Sequence, residues 1–311
     1  MKRHFRSRGK KGFILVSVLI STGLLLTIAT GFAWYAKTEL ARMSASKFAF
    51  ETRSVAETAL AAVKTAILAD SNAYDSFSEP LYAPLTPMTA EIGKYRADVT
   101  VEPLCGEIPV KGLFLQDGVT LREEYRNAWE KIWEELGLPD TAARAADFMD
   151  SDMKQRRGGA EEGTDINRVP LDISELAALE GVDMGTLWGT SGERGETKGI
   201  ADYLTVYGGE KLNINTAPIE VVVLLDRRID RAAAEALAYY RLREPITKAD
   251  DLKQVPGFPK AVIAKISNAI GFKSDYFRVT VSVYGNNERT RNFRITVKRD
   301  GKSVRTVRWE E

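Results

Sequence analysis

The sequence predicts an α+β protein in which a long membrane-spanning helix leads into an antiparallel sheet whose strands lie on either side of a large helical block. Three observations carry this prediction. Residues 12–36 contain no charge; residues 94–102 and much of 276–309 alternate with the period of two expected of strands; and the stretch between them is rich in helix formers with recognisable caps and stops.

As a helix rising 1.5 Å per residue, the 25 residues from Gly12 to Ala36 would run roughly 37 Å, longer than the ~30 Å hydrocarbon core of a bilayer. Six basic residues and no acid precede them (Lys2, Arg3, Arg6, Arg8, Lys10, Lys11), which places the N-terminus in the cytoplasm and the bulk of the chain outside. A cleaved secretory signal would have a shorter apolar region, and Phe32-Ala33-Trp34-Tyr35-Ala36 is a poor cleavage site. Between Gly31 and Pro80 there is no glycine or proline, so one helix is expected out to about Asp70, with Ser71-Asn72 as its stop. Val55, Ala59, Ala62, Ala66 and Ile67 give its outer half a small-residue stripe.

Beyond that helix, Lys94 to Glu102 reads as a strand. Glu123 to Leu136, with Trp129 and Trp133, and Ala142 to Met149 read as helices, as does Ser174 to Leu179, where Asp172-x-x-Glu175 has the form of a capping box. A glycine- and charge-rich connector follows at Ser191 to Gly199, and Ile200 to Tyr207 turns through Gly208-Gly209. The segment Lys211-Leu-Asn-Ile-Asn-Thr-Ala-Pro-Ile-Glu220 opens helices at about Ile219–Leu225, Arg231–Arg241 and Ala261–Ile270. Asn215 or Thr216 is placed to cap the first, with Pro218 in its first turn, and Thr247-x-x-Asp250 to cap a short helix through Leu252. Tyr276–Tyr284, Asn292–Lys298 and Ser303–Trp309, separated by Gly285-Asn286-Asn287 and Asp300-Gly301, form a three-stranded meander.

Composition excludes several function classes. The formal net charge is +1, and without the basic first twelve residues it is −5, so no chain-wide basic footprint for nucleic acid exists. His4 and Cys105 are the sole histidine and cysteine, which rules out a Cys/His zinc cluster, a Ser-His-Asp triad, a Cys–His pair and an internal disulfide within one chain. Acidic pairs such as Glu123-Glu124 sit among helix formers, where adjacent residues do not share a face, and Gly158-Gly159 lacks the strand-to-helix setting of a phosphate loop. No catalytic constellation is present, and the chain is not expected to be an enzyme.

The run Gly9-Lys10-Lys11-Gly12-Phe13-Ile14-Leu15-Val16-Ser17-Val18-Leu19 resembles the leader of type IV pilins and type II secretion pseudopilins. The resemblance implies that a prepilin peptidase cuts after Gly12 and methylates the new N-terminus at Phe13. The fifth mature residue, usually Glu in these proteins, is Ser17, a departure that points to the general secretion pathway protein K family of minor pseudopilins. The resemblance then implies a pseudopilin antiparallel-sheet head with an inserted all-helical, SAM-like domain. Its expected boundaries are a cleaved leader at 1–12, the N-terminal helix at 13–70, the first part of the head at 71–115, two SAM-like helical regions at 116–206 and 207–272, and the last strands at 273–311.

A second match is Ala146-Asp-Phe-Met-Asp-Ser-Asp-Met-Lys-Gln-Arg-Arg-Gly-Gly-Ala-Glu161, similar to an acidic segment of that family, members of which bind calcium. Ca²⁺ takes six to eight hard oxygens, and Asp147, Asp150, Asp152 and Glu161 are the candidate ligands. Lys154 and Gln155 break an EF-hand register, and Lys154, Arg156 and Arg157 offer the alternative of neutralising these carboxylates without metal. The Asn-x-Asn-Thr-Ala opening also resembles helix-hairpin-helix modules of DNA-uptake proteins. Phosphate binding there needs glycine-bearing hairpins, and Asp226–Asp230 has none while Pro259 replaces the second glycine of the other, so no nucleic-acid partner is expected.

The family resemblance implies a single-pass protein of the bacterial inner membrane, most of it periplasmic. Its partners would be other minor pseudopilins in a tip complex, the major pseudopilin and the prepilin peptidase, and its role to initiate and cap a pseudopilus for protein export. The alternatives are a minor pilin of a type IV pilus and a membrane-anchored helix-hairpin-helix DNA receptor.

Overall fold

A computed structural model describes residues 9–83, 86–161, 165–192, 195–285 and 289–311. Helix α1 (Gly9–Ala69) is 61 residues long. It is the one helix among the described residues long and apolar enough to cross a membrane. Phe13, Leu15, Leu19, Leu26 and Phe32 are exposed along it, and Trp34 and Tyr35 stand at the end of the uncharged run, where amphipathic rings mark a membrane–water boundary. Hydroxyls along it bond back to its own carbonyls: Thr27 and Thr30 donate to the Gly23 and Leu26 carbonyls, both at 2.9 Å. These features are those of a single-pass membrane anchor.

Residues 56–311 hold everything else. In chain order they contain β1 (Met88–Ile92), β2 (Tyr95–Pro103), β3 (Ile108–Pro109), α2 (Glu123–Glu135), α3 (Thr141–Met149) and α4 (Met184–Trp188). Short strands β4 (Thr190–Gly192), β5 (Gly195–Thr197), β6 (Leu204–Thr205) and β7 (Leu212–Asn213) precede α5 (Ile219–Leu225), α6 (Arg231–Tyr240), α7 (Lys260–Ile266) and β8 (Ile270–Gly271). The chain ends in β9 (Tyr276–Tyr284), β10 (Thr290–Asp300) and β11 (Ser303–Glu310). One antiparallel sheet has the order β1-β2-β9-β10-β11, so β2 lies beside β9 and the helical block between them is an insertion into the sheet. The fold is α+β, as the sequence predicts. Gly301, at φ 55°, supplies the left-handed turn joining Asp300 to its partner Ser303; the other meander turn falls partly on residues 286–288, outside the described residues.

Alternation decides which face of the sheet is buried. Phe277, Val279, Val281 and Val283 point to one side with Val99, Val101, Phe293, Ile295 and Val297, all buried. In α1 the residues removed from water are Ala56, Ala59, Leu60, Val63 and Ile67, and Lys64 donates to Thr306 of β11 at 2.9 Å, which lays this end of the helix across the sheet. The stripe is therefore rotated from the one expected: Ala62 is exposed and Ala66 half-buried, because the larger Leu60 and Val63 bury more apolar area than the alanines would. Strand β1 has no counterpart in the sequence reading; it is an exposed edge of mixed composition with no clean alternation.

The insertion has its own core, a single cluster running from Ile108 to Ile270. Trp129 and Trp133 meet edge to face at 5.6 Å, and Tyr125 donates to the carbonyls of Ala269 at 2.7 Å and Glu210 at 3.0 Å, so α2 ties early and late parts of the insertion together. Asp172 and Glu175 form the expected capping box. Three local expectations are corrected. The helix starting at Lys260 stops at Ile266, because Ile270-Gly271 pairs in parallel with Leu212-Asn213. The carboxylate that accepts from Thr247 and Lys248 is Asp251, while Asp250 faces Lys253. Neither Asn215 nor Thr216 caps α5, whose N-cap is Pro218.

Where the sheet meets the insertion, a cavity of about 430 Å³ is lined by Glu107, Asp172, Trp188, Tyr207, Arg278 and Arg308. Burial pushes the Glu107 carboxyl up to about 7, with Glu102 and Asp202 adding to the rise and Arg278 opposing it. The folded state thus holds this proton more tightly than the unfolded chain. The associated stability is fully present below about pH 4.5 and is lost as pH climbs towards 7. Glu107→Gln is expected to raise the unfolding free energy at pH 8 by roughly 2–3 kcal/mol and to flatten its slope over that window; denaturant titrations at several pH values check this.

Candidate functional site

Helix α3 owes its formation to an alanine-rich run, and its last turn carries Asp147 and Asp150 into the interior, where both are fully buried. The chain then doubles back: the backbone N–H groups of Ile166 and Asn167 both donate to the Phe148 carbonyl at 3.1 Å. Carboxylate oxygens of Asp147, Asp150 and Glu161 come within 4.8 Å of one another. Asp152 stands outside this group, its carboxylate accepting from the Lys154 N–H at 2.9 Å while its own N–H donates to Asp150. Gly159 permits the close approach, since a Cβ there would strike the Asp147 carboxylate.

Of the three cations offered as neutralising partners, Arg156 alone enters the cluster. Its Nε donates to Asp147 Oδ1 at 2.6 Å, its backbone N–H to Asp147 Oδ2 at 3.1 Å, and its Nη2 to Asp150 Oδ2 and to the Val119 carbonyl. Lys154 and Arg157 are exposed. One guanidinium does not satisfy three carboxylates: Glu161 Oε1 is buried with no hydrogen-bond partner among the described residues. Burial raises the Glu161 carboxyl first, and the charges of Asp147, Asp150, Asp165 and Asp152 raise it further. Asp147 is raised too, chiefly by burial, against the pull of Arg156. A second orphaned oxygen, Asn167 Oδ1, lies on the returning loop in a left-handed conformation (φ 45°) that asparagine tolerates. Hard, partly unsatisfied oxygens in a buried cluster fit a calcium ion. Asn167 has no sequence signal of its own, being six residues beyond the acidic run.

The Asn-Ile-Asn-Thr-Ala-Pro segment serves the fold. Asn213 Nδ2 donates to the Asp75 carbonyl and to Ser274 Oγ, both at 2.9 Å, and its Oδ1 accepts from the Asn215 N–H. Asn215 exchanges two hydrogen bonds with the Ile246 backbone, each 2.8 Å. The Arg241 guanidinium, buried and pushed down to about 10 by that burial, donates to the carbonyls of Ile214 and Ala217. In the first hairpin, Asp226 accepts from Arg228 at 2.9 Å and lies 3.3 Å from Lys265, so these cations are engaged internally and not held out for phosphate. Cys105 is buried and its thiol is pushed up to about 11, which makes it unreactive.

At the N-terminus, residues 1–8 of the expected leader lie outside the described residues, and Gly12 and Phe13 sit within the helix with nothing packed on Gly12. Ser17 Oγ donates to the Phe13 carbonyl at 2.9 Å, so this side chain, expected to be the fifth of the mature chain, offers neither charge nor a free donor to a neighbour.

A family model described as Type II secretion system (T2SS), protein K, matches residues 212–273. This segment runs from the Asn213 clasp through α5, α6 and α7. A chain in the crystal structure of the GspK-GspI-GspJ complex from the enterotoxigenic Escherichia coli type 2 secretion system is similar in fold, with a TM-score of 0.60 at 14% sequence identity. The match covers 86% of this chain and 98% of that one. No curated relative matches the sequence. The family model bears out the resemblance to protein K over the segment that opens with Asn-Ile-Asn-Thr-Ala-Pro, and the structural similarity bears out the expected fold.

Proposed function

We propose that this chain is a minor pseudopilin of a type II secretion system, anchored in the inner membrane by residues 13–36 with its N-terminus cytoplasmic, and that it initiates and caps the pseudopilus together with other minor pseudopilins. The observation that carries this reading is topological. A 61-residue helix, uncharged over residues 12–36, precedes a sheet whose second and third strands are separated by a helical insertion, and a chain of the GspK-GspI-GspJ complex is similar over nearly its whole length. The role is structural rather than catalytic. Tip placement is supported by Ser17: in a membrane-buried helix a carboxylate at that position pairs with the ammonium of an adjacent subunit, and this chain has none to offer a subunit stacked above it.

Deletion of the chain is expected to abolish export by the secretion system while leaving export substrates intact in the periplasm. Mass spectrometry of the restored protein should find an N-terminus at methylated Phe13. Immunogold label distributed along the filament, rather than at one end, would overturn the tip assignment, and a pilus lost with secretion intact would favour the minor-pilin reading.

We propose in addition that Asp147, Asp150 and Glu161 hold calcium, the orphaned Glu161 oxygen being the observation that favours it. The ion would tie the end of α3 to the returning loop. An ion bound only to the folded form stabilises it by about 2.7 kcal/mol at a hundredfold excess over Kd. The melting temperature of the full-length chain in detergent should therefore rise in calcium relative to chelator, and identical curves would remove the metal.

A further inference from the structure

The arrangement around α3 points to a specific role for Arg156. We propose that its guanidinium is a tethered counter-cation that occupies the calcium site in the metal-free protein and must leave when the ion binds. The inference rests on the calcium reading above and concerns what that reading leaves open, namely how two fully buried carboxylates are tolerated without metal.

Three contacts carry the argument. Arg156 Nε donates to Asp147 at 2.6 Å and Nη2 to Asp150, two of the three carboxylates that converge here. Calcium takes six to eight oxygens at roughly 2.3–2.6 Å, so an ion held by these carboxylates would sit within a few ångströms of the guanidinium, and their like charges oppose shared occupancy at that distance. The backbone N–H of Arg156 also donates to Asp147, a contact that survives departure of the side chain and keeps the carboxylate aimed. With the guanidinium in place the charge match is incomplete, since Glu161 Oε1 has no partner among the described residues; a divalent ion would complete it.

The guanidinium has somewhere to go. It already lies 5.8 Å from the Phe114 ring and is 24% exposed on the wall of a cavity of about 890 Å³, open to solvent and also lined by Thr120, Trp129 and Arg126. Rotation about its own side-chain torsions would place it over an aromatic face or in water, both acceptable to a guanidinium.

Calorimetric titration of the full-length chain in detergent micelles with CaCl₂ tests this. Arg156→Gln, which keeps hydrogen-bonding capacity without charge, is expected to bind calcium at least about tenfold more tightly than the unaltered chain, whereas Arg156→Lys should stay within about threefold of it. Equal or weaker binding by Arg156→Gln would overturn the competition while leaving the metal site standing. No binding by either protein would remove the site and the inference together.

A second measurement uses the unaltered chain, in case Arg156→Gln folds poorly without calcium. Modification of Arg156 by phenylglyoxal, followed by mass spectrometry, should be several-fold faster in calcium than in chelator. Protection or no change at Arg156 would exclude its release. A residue that merely braced the loaded loop would be protected by calcium, so the direction of the change separates the two roles.

Discussion

Arg299→Ala is expected to lower the unfolding free energy of the full-length chain by roughly 3–5 kcal/mol, the cost of stranding a buried charge. Arg299 Nη2 lies 2.6 Å from Asp75 Oδ2 and 2.7 Å from the Ser274 carbonyl, and Asp75 is fully buried. The Asp75 carboxylate also accepts from the Ser274 N–H, and Tyr82 donates to Asp70 at 2.8 Å beside the same guanidinium. One residue of β10 thus holds the end of α1, the segment after it and the chain entering β9. Burial raises the Asp75 carboxyl above its ordinary value even with Arg299 opposing it. Removing Arg299 raises it further, so the penalty is fully present at pH 8, shrinks as pH falls through the raised value, and is smallest where the carboxyl is protonated. Pairing Arg299→Met with Asp75→Asn should recover much of the loss. Denaturant titrations of both variants at pH 5 and pH 8 check the sign, and a pH-independent deficit would show that packing, not charge, dominates.

Asn215→Ala should cost about 2–4 kcal/mol, because it leaves both the N–H and the carbonyl of Ile246 buried and unpaired. Ile246 is fully buried and no nearby side chain takes over either bond among the described contacts. Asn215→Asp should be no better, since a carboxylate accepts from the Ile246 N–H but cannot donate to its carbonyl. The neighbouring Thr216→Ala, which loses one 3.3 Å bond to the Asn213 carbonyl, should cost under about 1 kcal/mol. Thermal melts of the three variants rank them; equal effects at 215 and 216 would mean that the segment acts through packing alone.

Asn215 also shows where the sequence stops being legible. An asparagine three residues ahead of a proline and an apolar run has every local mark of a helix cap, and the same amide that could bond an N–H two residues on bonds instead to a backbone 31 residues away. Asp250 and Asp251 differ by one position, and only the path of the chain selects which carboxylate faces Thr247. The membrane helix, α2 and the meander were readable because their signals are periodic and repeated over many residues: the predicted Ile219–Leu225 and Tyr276–Tyr284 coincide with α5 and β9. The acidic site was readable in its composition, which named Asp147, Asp150 and Glu161, but not in its geometry. Nothing in the order of residues 146–161 sets Arg156 inside the cluster and Asp152 outside it; that follows from how the chain turns after α3.

The position of the insertion has a consequence for how the molecule is made. Strands β1 and β2 leave the ribosome early, and the strand that completes their apolar face is β9, whose Phe277 pairs with Pro103 across the whole helical block. Until then Val101 has no cross-strand partner, and Val99 has only Met88 of β1. The entropy of closing so long a loop grows only as the logarithm of its length, yet it must be met before the pairing returns anything. The insertion removes most of that burden once folded: its two ends are joined by the Leu104 N–H to the Tyr276 carbonyl at 2.9 Å, and its start is tied to its middle by the Asn213 N–H to the Cys105 carbonyl at 2.6 Å. The helical block is therefore the clasp that converts the slowest pairing in the molecule into a short-range one.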